Sequence, residues 1–354
     1  MKKAMIALSG GVDSSMAAYF TQLQGYECIG VTMHLYDSVE NNRDNGKSCC
    51  SLQDTEDARK IAEKLGMPFQ VLDLKNDFRD IIIKNFVSEY IKGRTPNPCI
   101  QCNKYMKFDK LLEKAKELGC EKIVTGHYAR VVFDGNKYLL KKAEDDTKDQ
   151  SYVLYNLTQD QLAHVMFPLG DKRKVEIRDL AEKEGFSNAR KADSQDICFV
   201  PDGDYAKLVE DIAGVKSKAG KFVDTEGNVL GKHKGIINYT VGQRRGLGIS
   251  SKEPLYVCRI SKETNEVILG SKKDLFSKEL TACNFNWTLG EKPELGKHAS
   301  AKIRYRHKEE PCVIYANEDE TVKIIFDEPQ RAITPGQSVV VYDGDVVLGG
   351  GIII

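Results

Sequence analysis

A short apolar run close to the N-terminus, followed at once by two glycines and small hydroxyl residues, constrains the fold of this chain more than any other feature. Residues 4–8 read as a buried strand, SGGVDSS follows at residues 9–15, and a helical pattern begins at Met16. Backbone N–H groups at the start of such a helix bind anions, and glycine lets the backbone approach a phosphate closely. The stretch therefore predicts a phosphate-binding turn between a strand and a helix.

The spacing of this turn narrows the kind of nucleotide site. It lacks the lysine of GxxxxGK[ST] and the spacing of GxGxxG. It resembles instead SGGxDS, the PP-loop of ATP pyrophosphatases, which split ATP into AMP and pyrophosphate. The alternative is an ordinary strand-to-helix turn with a serine cap, and the full six-residue match directly after a strand favours the nucleotide site.

Alternating strands and helices in the first two hundred residues indicate a parallel sheet covered on both faces. Further strands are predicted at residues 28–34, 69–74 and 122–125, and helices at 54–65, 78–91, 107–118, 159–165 and 175–184. Ligands of such sheets bind beyond the carboxyl ends of the strands. We therefore expect residues 9–14, 33–34 and 126–127 to surround one crevice.

The pattern changes after about residue 205, where short alternating runs bounded by Gly, Asn and Asp replace the long helices. Such spacing is typical of small antiparallel β domains and barrels. The predicted fold class is therefore α/β: a doubly wound parallel sheet at residues 1–205, a small mostly-β central domain at 206–275 and a C-terminal antiparallel β-barrel at 276–354. The polar stretch at 144–150 is predicted to be an exposed loop.

Composition excludes several classes of protein. Basic and acidic residues number 52 each, so any contact with nucleic acid depends on local patches rather than on net charge. With no long apolar run and no leader-like segment before the first strand, we expect a cytoplasmic protein without a membrane span. Its ten cysteines should then stay reduced, so clusters among them indicate catalysis or metal binding rather than structural disulfides.

Two cysteine features invite chemistry. Cys99 and Cys102 form a CxxC after two prolines and ahead of the predicted helix, and Cys198 lies between acidic residues. A CxxC can be a redox pair, half of a zinc site or part of an Fe–S site, and the lack of a second CxxC argues against a complete Cys₄ zinc ribbon. Cys49-Cys50 is assigned to local packing. The remaining cysteines are interpreted as small buried apolar residues: Cys28, Cys120, Cys258, Cys283 and Cys312.

A set of motifs in fixed order closely resembles the tRNA-specific 2-thiouridylase family, MnmA. The motifs are SGGVDSS, CCS with DTEDAR, NPCIQCNKYMKF, TGHYAR, KDQSYVL, SQDICFV, YTVGQRRGLGI and ITPGQSVVVYDGDVVLGGG. The resemblance implies a PP-loop domain, a small central domain and a C-terminal barrel. It also implies an enzyme that uses ATP and a persulfide to place sulfur on C2 of the wobble uridine in certain tRNAs.

The resemblance assigns the residues of the reaction. ATP with Mg²⁺ adenylates the C2 oxygen, and a sulfur nucleophile then displaces AMP. Cys198 carries a persulfide received from a cysteine desulfurase or a sulfur-relay protein, and Cys102 attacks it or assists release, with a transient disulfide between the two. A monomer engaging one tRNA is expected. The implied ATP-binding residues are Ala7, Leu8, Ser9, Gly10, Gly11, Val12, Asp13, Ser14, Met33 and Gly126.

Contacts with tRNA follow from the same resemblance. The basic cluster at residues 304–308 contains a tyrosine, which fits phosphate neutralisation and base stacking. A solvated strand face is the alternative for this cluster, and a buried, hydrogen-bonded core histidine is the alternative for His127. The implied tRNA-binding residues are Cys99, His127, Lys148, Asp149, Gln150, Arg304, Tyr305 and Gln337.

One position departs from the family pattern, because many members have an aspartate where this chain has Cys99. In one interpretation Cys99 is a bystander or a resolving thiol, and the persulfide chemistry of Cys102 and Cys198 proceeds. In the other, all three cysteines ligate irons of a [4Fe–4S] cluster whose open fourth iron carries hydrosulfide. We favour the persulfide, since CxxC alone fits several chemistries.

Two other functions compete with thiolation. A PP-loop amide ligase acting on a small metabolite would need neither Cys102 nor Cys198. A non-catalytic RNA-binding or metal-sensing module would keep the glycine loop without using it, and tRNA-dependent release of pyrophosphate from ATP would exclude that class.

Overall fold

The parallel sheet predicted for the N-terminal part is confirmed. The computed structural model describes residues 2–36, 52–193, 197–200 and 203–354, so Cys49-Cys50 lie outside the described residues. Five parallel strands run in the order β3-β2-β1-β4-β7. They are β1 (Lys3–Ala7), β2 (Glu27–His34), β3 (Phe69–Asp73), β4 (Lys122–Val124) and β7 (Val165–Met166). The strand order reverses beside β1, and ligands bind at such a switch point.

Helices cover both faces of this sheet because side chains alternate along each strand. Ala4 and Ile6 of β1 are buried in one cluster with Met16 and Ile177, whereas Met5 is buried with Leu111 on the other face. The helices are α1 (Val12–Leu23), α2 (Leu52–Lys64), α3 (Lys75–Asp77, Phe78–Ile83 and Lys84–Ile91), α4 (Pro98–Gln101, Cys102–Lys110 and Leu111–Glu117), α5 (Gln159–His164), α6 (Lys174–Lys183) and α7 (Tyr205–Ala213). The middle segments of α3 and α4 are π-helical.

Helix α4 begins nine residues earlier than the sequence predicted, at Pro98 rather than at residue 107. Proline is tolerated in the first turn of a helix, where its missing N–H has no intrahelical partner. Asn97 caps the helix by accepting a hydrogen bond from the Cys99 N–H at 3.2 Å. Cys99 and Cys102 therefore lie in the helix and not in an extended segment ahead of it.

The central sheet has four strands in the order β10-β11-β8-β9. They are β8 (Gly220–Val223), β9 (Val229–His233), β10 (Tyr256–Ser261) and β11 (Glu266–Gly270). Helix α7, which the sequence did not predict, precedes this sheet and is capped by the Asp204 side chain. Its Leu208 shares a hydrophobic cluster with Phe86 of α3 and Phe222 of β8, so the central domain and the N-terminal domain pack on one core.

The C-terminal barrel is confirmed, with one addition. Strands β12 to β17 pair in the order β12-β15-β14-β13-β16-β17, and pairing of β12 with β17 closes the ring. They are β12 (Phe276–Trp287), β13 (Lys297–Lys302), β14 (Glu310–Ala316), β15 (Val322–Arg331), β16 (Ser338–Asp343) and β17 (Val346–Ile353). A hairpin of β5 (Arg130–Phe133) and β6 (Tyr138–Lys141) joins this sheet, with Lys141 paired to Val346.

The search for membrane-spanning segments covered the described residues. Among them, no helix combines the length and the apolar character that a membrane crossing requires.

Candidate active site

The glycine loop lies between β1 and α1 and is held by its own serines. Ser14 Oγ accepts a hydrogen bond from the Ser9 N–H at 3.1 Å and donates to the Gly11 carbonyl at 3.0 Å. Gly10 has a φ of 70°, and a Cβ there would lie 2.5 Å from the Asp54 carbonyl oxygen, so only glycine fits. The loop is therefore shaped before any ligand binds.

The start of α1 is open to an anion. Gly11 is the N-cap residue, and within the described part of the chain no side chain caps this helix. Helix N-termini of this kind bind phosphates through backbone N–H groups. Of the other predicted ATP contacts in this stretch, Ala7 ends β1, Leu8 is buried with its N–H on the Val31 carbonyl at 2.8 Å, and Val12 is the buried first residue of α1.

The carboxyl ends of the neighbouring strands adjoin the loop. A Cβ at Gly126, just after β4, would lie 2.6 Å from the Asp13 carbonyl carbon, so glycine permits this close approach. Thr32 of β2 donates to the Leu8 carbonyl at 2.8 Å, and Met33 follows it at the same end of that strand. The structure thus brings together the strand ends that the sequence predicted around one crevice.

A buried lysine that sequence reasoning missed contacts the loop. Lys174, the first residue of α6, places its Nζ 2.7 Å from both carboxylate oxygens of Asp13 and 2.9 Å from Asp193 Oδ1. The Tyr128 hydroxyl donates to Asp13 Oδ1 at 2.9 Å. No motif surrounds Lys174 in the sequence, so only the fold shows that it belongs to the site.

Three cationic side chains contact the Asp193 carboxylate. It accepts from Lys148 Nζ at 2.9 Å and from Arg178 Nη2 at 3.1 Å in addition to Lys174. Burial alone would raise the pKa of Asp193, but hydrogen bonds from Lys148 and Lys174 outweigh it and hold the pKa well below its usual range. The ion pairs therefore extend from Asp13 of the glycine loop to Asp193, which precedes Cys198 by five positions in the sequence.

The two cysteines assigned to sulfur chemistry pack against the same hydrophobic cluster. Cys102 and Cys198 are both half-buried, and both pack against the cluster that contains Phe86 and Phe199. Cys99 lies one helical turn before Cys102 and is exposed. Cys28, Cys120 and Cys312 are buried, as predicted, whereas Cys258 and Cys283 are only partly so.

The arrangement of the Cys99, Cys102 and Cys198 thiols does not fit a metal centre. In residues 2–36, 52–193, 197–200 and 203–354, no three His, Cys, Asp or Glu side chains are arranged to hold a metal ion. Cys99, Cys102 and Cys198 all lie within that range and do not form the three-thiolate set of a [4Fe–4S] cluster. We therefore derive no step through a cluster.

The loop expected to be exposed at residues 144–150 is partly buried, so that prediction is wrong for Asp149. Its carboxylate accepts from the Ala143 N–H at 3.1 Å, the Ser151 N–H at 3.1 Å and the Ser151 hydroxyl at 2.7 Å. Hydrogen bonds of this number make burial of a carboxylate tolerable. Gln150 Oε1 accepts from the Tyr128 N–H at 3.0 Å. Together with the Lys148 contact to Asp193, these bonds tie the loop to the nucleotide side of the molecule.

Two barrel residues expected at tRNA make internal hydrogen bonds. Arg304 Nη2 donates to the carbonyls of Val241 at 3.3 Å and Ala332 at 2.8 Å, and to Thr334 Oγ1 at 2.5 Å. Gln337 Nε2 donates to the Thr95 carbonyl at 2.7 Å, just ahead of α4. Both side chains therefore join the barrel to other parts of the chain.

Tyr305 is the more open member of this barrel group, at 38% exposure. Its ring centroid lies 6.0 Å from that of Tyr152. Partial burial raises its pKa, and the nearby Asp149 carboxylate and Cys99 add to the rise. The barrel thus places Tyr305 beside residues of the 144–150 loop and of α4, which are far apart in sequence.

His127 is a buried residue with internal partners. Its Nδ1 lies 2.7 Å from Thr125 Oγ1, and its ring packs against Phe108 and Phe167 at centroid distances of 5.9 and 5.8 Å. Burial holds the pKa of His127 well below its usual value, so the ring is neutral at pH 7. This geometry is that of the core-histidine alternative, and a contact with tRNA stays a prediction.

Three protein-family models match the chain along nearly its whole length. A "tRNA methyl transferase HUP domain" matches residues 2–202, a "tRNA methyl transferase PRC-barrel domain" residues 208–271, and an "Aminomethyltransferase beta-barrel domain" residues 277–353. The first alone covers more than half of the chain.

Curated relatives match the chain from end to end. A tRNA-specific 2-thiouridylase MnmA from Acetivibrio thermocellus is 52% identical over 99% of both chains. One from Clostridioides difficile is 50% identical over 99% of this chain and 98% of the relative. A protein from Caldanaerobacter subterraneus subsp. tengcongensis, tRNA-specific 2-thiouridylase MnmA 1, is 53% identical over 99% of this chain and 97% of the relative.

Proposed function

The chain belongs to the tRNA-specific 2-thiouridylase family, MnmA, and on that premise we propose that it converts the wobble uridine of tRNA to 2-thiouridine at the expense of ATP and a persulfide. The observation that carries the proposal is the glycine loop in one chain with two half-buried thiols, Cys102 and Cys198, that pack against the same hydrophobic cluster. The contacts of Asp13, Lys174 and Asp193 extend from the phosphate-binding turn to a residue five positions before Cys198 in the sequence. A small-metabolite ligase would need neither thiol.

ATP would bind with its phosphates on the glycine loop. Gly10, Gly11 and Ser14 offer backbone and hydroxyl groups at the start of α1, and Met33 and Gly126 close the crevice from the neighbouring strand ends. The uridine C2 oxygen attacks the α-phosphorus, the α–β phosphoanhydride bond breaks, and pyrophosphate leaves with the electron pair. The products of this step are O2-adenylated uridine and pyrophosphate.

The loop also fits Mg²⁺. The Asp13 carboxylate already holds a cation, the Lys174 ammonium, at 2.7 Å, and the hydroxyls of Ser9 and Ser14 in the same loop lie 3.2 Å from each other. Carboxylate and hydroxyl oxygens are ligands that Mg²⁺ prefers. Bound there, the metal would neutralise charge on the leaving pyrophosphate.

Sulfur transfer would use the two half-buried thiols. The terminal sulfur of a Cys198 persulfide attacks C2, and AMP leaves with the electron pair of the C2–O bond. The Cys102 thiolate then attacks Sγ of Cys198, breaks the bond to the transferred sulfur, and releases 2-thiouridine. A disulfide between Cys102 and Cys198 is left for an external thiol to reduce. Their packing on one hydrophobic cluster supports this exchange.

The tRNA would lie across α4, the 144–150 loop and the barrel. Tyr305 beside Asp149 and Gln150, together with the exposed Cys99, supports such a surface. We assign the contacts to Cys99, His127, Lys148, Asp149, Gln150, Arg304, Tyr305 and Gln337. Base stacking on the partly exposed Tyr305 and phosphate contacts from the basic residues around it are the expected modes.

We propose domain limits at 1–205, 206–275 and 276–354, which the three sheets support apart from the β5–β6 hairpin. The protein would act as a monomer in the cytoplasm, where its tRNA substrate lies, and take sulfur from a cysteine desulfurase or a relay protein. Since the thiols do not form a cluster site, Cys99 is assigned to a bystander or resolving role.

The decisive experiment is thiolation of tRNA by iron-free protein supplied with Mg-ATP and a persulfide donor. Thiolated tRNA is retarded in a mercury-containing gel, and we expect retardation that depends on ATP. Retardation only after anaerobic reconstitution with iron and sulfide would overturn the persulfide mechanism. No retardation in either state would overturn thiolation and leave the amide ligase.

A further inference from the structure

Lys174 is a buried cation at the glycine loop. Its side chain is 7% exposed, and its ammonium contacts both oxygens of Asp13 at 2.7 Å and Asp193 Oδ1 at 2.9 Å. A buried ammonium is unfavourable unless opposite charges surround it. The two aspartates therefore fix Lys174 in place, and Lys174 in turn fixes the Asp13 carboxylate.

Two cations, the Lys174 ammonium and Mg²⁺, then compete for the Asp13 carboxylate. Asp13 is the residue that the proposed nucleotide site assigns to Mg²⁺, yet both of its oxygens lie within hydrogen-bond distance of Lys174 Nζ. A divalent cation must compete with this ammonium for the same oxygens. Asp193 offers Lys174 an acceptor outside the glycine loop, so the ammonium can leave Asp13 without losing all of its partners.

We propose that Lys174 is a positioning residue of the nucleotide site: it holds Asp13 until Mg²⁺ arrives with ATP, and Asp193 retains its ammonium afterwards. This inference rests on the proposed function. The apparent affinity for the metal is lowered by the fraction of molecules in which the ammonium occupies Asp13. Removing the ammonium and removing its second acceptor should therefore shift the metal requirement in opposite directions.

The experiment measures the Mg²⁺ concentration that half-saturates binding of α,β-methylene-ATP to the full-length protein. This analogue cannot be split between its α- and β-phosphates. Lys174→Met removes the competitor and should lower the half-saturating concentration about tenfold. Asp193→Asn leaves Lys174 with Asp13 as its carboxylate partner and should raise the concentration several-fold.

Lys191 provides a matched control, because it is a second lysine that bridges two aspartates. Its Nζ lies 2.7 Å from Asp54 Oδ1 and 2.7 Å from Asp57 Oδ2, a pair that does not include Asp13. Lys191→Met makes the same change of charge, and its half-saturating Mg²⁺ concentration should stay within about twofold of the wild-type value.

The opposite signs separate positioning from stability, since a purely structural lysine would not shift the metal requirement in two directions. Unchanged values in both variants, or shifts of the same sign, would overturn the inference. If Lys174→Met does not fold, Asp193→Asn decides alone: a raised requirement supports the inference and an unchanged one overturns it. Failure of the wild-type protein to bind the analogue at any Mg²⁺ concentration would overturn the nucleotide site itself, and this inference with it.

Discussion

The glycine-loop region and the barrel-side region build their functional surfaces in different ways. At the glycine loop the key side chains meet each other: Asp13 contacts Lys174, which contacts Asp193. On the barrel side, Arg304 and Gln337 donate to backbone carbonyls of neighbouring segments. In the first region charged side chains pair with one another at the end of the parallel sheet. In the second, polar side chains donate hydrogen bonds that connect one segment of the chain to another.

The two regions should therefore respond differently to substitution. A side chain at the glycine loop belongs to the nucleotide site, so its loss should change the affinity for Mg-ATP. A side chain on the barrel side that connects two segments and also contacts RNA has two roles. Its loss should lower both the free energy of unfolding and the affinity for tRNA.

The largest effect is expected at the thiols. Cys198→Ala should lower thiolation at least a thousandfold while ATP and tRNA binding stay within about twofold, because the nucleophile acts only in the chemical step. Single-turnover thiolation and binding titrations measure the two separately. Cys283→Ala, at a half-buried cysteine of β12, is the control and should retain activity. Full activity of Cys198→Ala would remove this residue from the mechanism.

Two adjacent glycines test whether ATP binding depends on the backbone conformation of the loop. Gly10→Ala should weaken ATP binding about a hundredfold, because its φ is 70° and its Cβ would collide with the Asp54 carbonyl. Gly11→Ala is the comparison at a second ATP-site glycine and should lose less affinity, since its φ is −90° and the nearest contact of its Cβ would be Ser9 Oγ at 3.6 Å. Calorimetric titration with an ATP analogue compares the two. Equal losses of ATP affinity in both variants would show that the positive φ and the close approach at Gly10 are not what ATP binding requires.

Arg304 tests the double role of the barrel side. Arg304→Met should cost about 2 kcal/mol of unfolding free energy, because the carbonyls of Val241 and Ala332 and the Thr334 hydroxyl lose the hydrogen bonds from its charged guanidinium. It should also flatten the salt dependence of tRNA binding by about one charge. Denaturant unfolding and binding titrations at several salt concentrations measure both. A change in only the free energy of unfolding or only the salt dependence would show that Arg304 does not have both roles.

The neighbouring Arg306 is exposed and serves as the control for charge alone. Arg306→Met makes the same loss of charge on the surface. Its free energy of unfolding should stay within about 0.5 kcal/mol of the wild-type value.

The smallest effect is expected at His127. Its folded pKa is depressed by burial, so below the ordinary value of about 6.5 the unfolded chain binds a proton that the folded chain does not. The free energy of unfolding should therefore fall by up to about 1.4 kcal/mol per pH unit as pH drops below ~6.5. Urea unfolding from pH 7.5 to 5.5 checks this slope.

His127→Gln removes the titrating group and should flatten that pH dependence. His298→Gln, at an exposed histidine of β13, is the control and should leave the slope as in the wild-type protein. A wild-type slope in His127→Gln would show that other groups cause the loss of stability.

The glycine-loop region was far easier to predict from sequence than the barrel side. The strand, the glycine pair and the start of α1 lie within twenty consecutive residues, and local chemistry decides each of them. The helix start at Pro98 was misplaced because two prolines were read as extended backbone, although Asn97 supplies the cap that lets a helix begin there.

What sequence reasoning missed depends on contacts between distant residues. Lys174 lies 161 positions from Asp13, and no local pattern distinguishes it from other lysines of amphipathic helices. The burial of Asp149 depends on hydrogen bonds within a turn that composition alone describes as polar. The β5–β6 hairpin was missed because its partner strand, β17, is the last strand of the chain.

That hairpin also has a consequence for the order in which the protein is synthesised. Lys141 leaves the ribosome about 200 residues before Val346, which at ~5–20 residues per second leaves a delay of about 10–40 s. During that time the free edge of β6 presents backbone groups to any passing strand or chaperone. The hairpin therefore gains its place in the sheet only when the last strand emerges, and a ribosome stalled before residue 346 would hold a protein in which β6, β12 and β16 each lack their β17 partner.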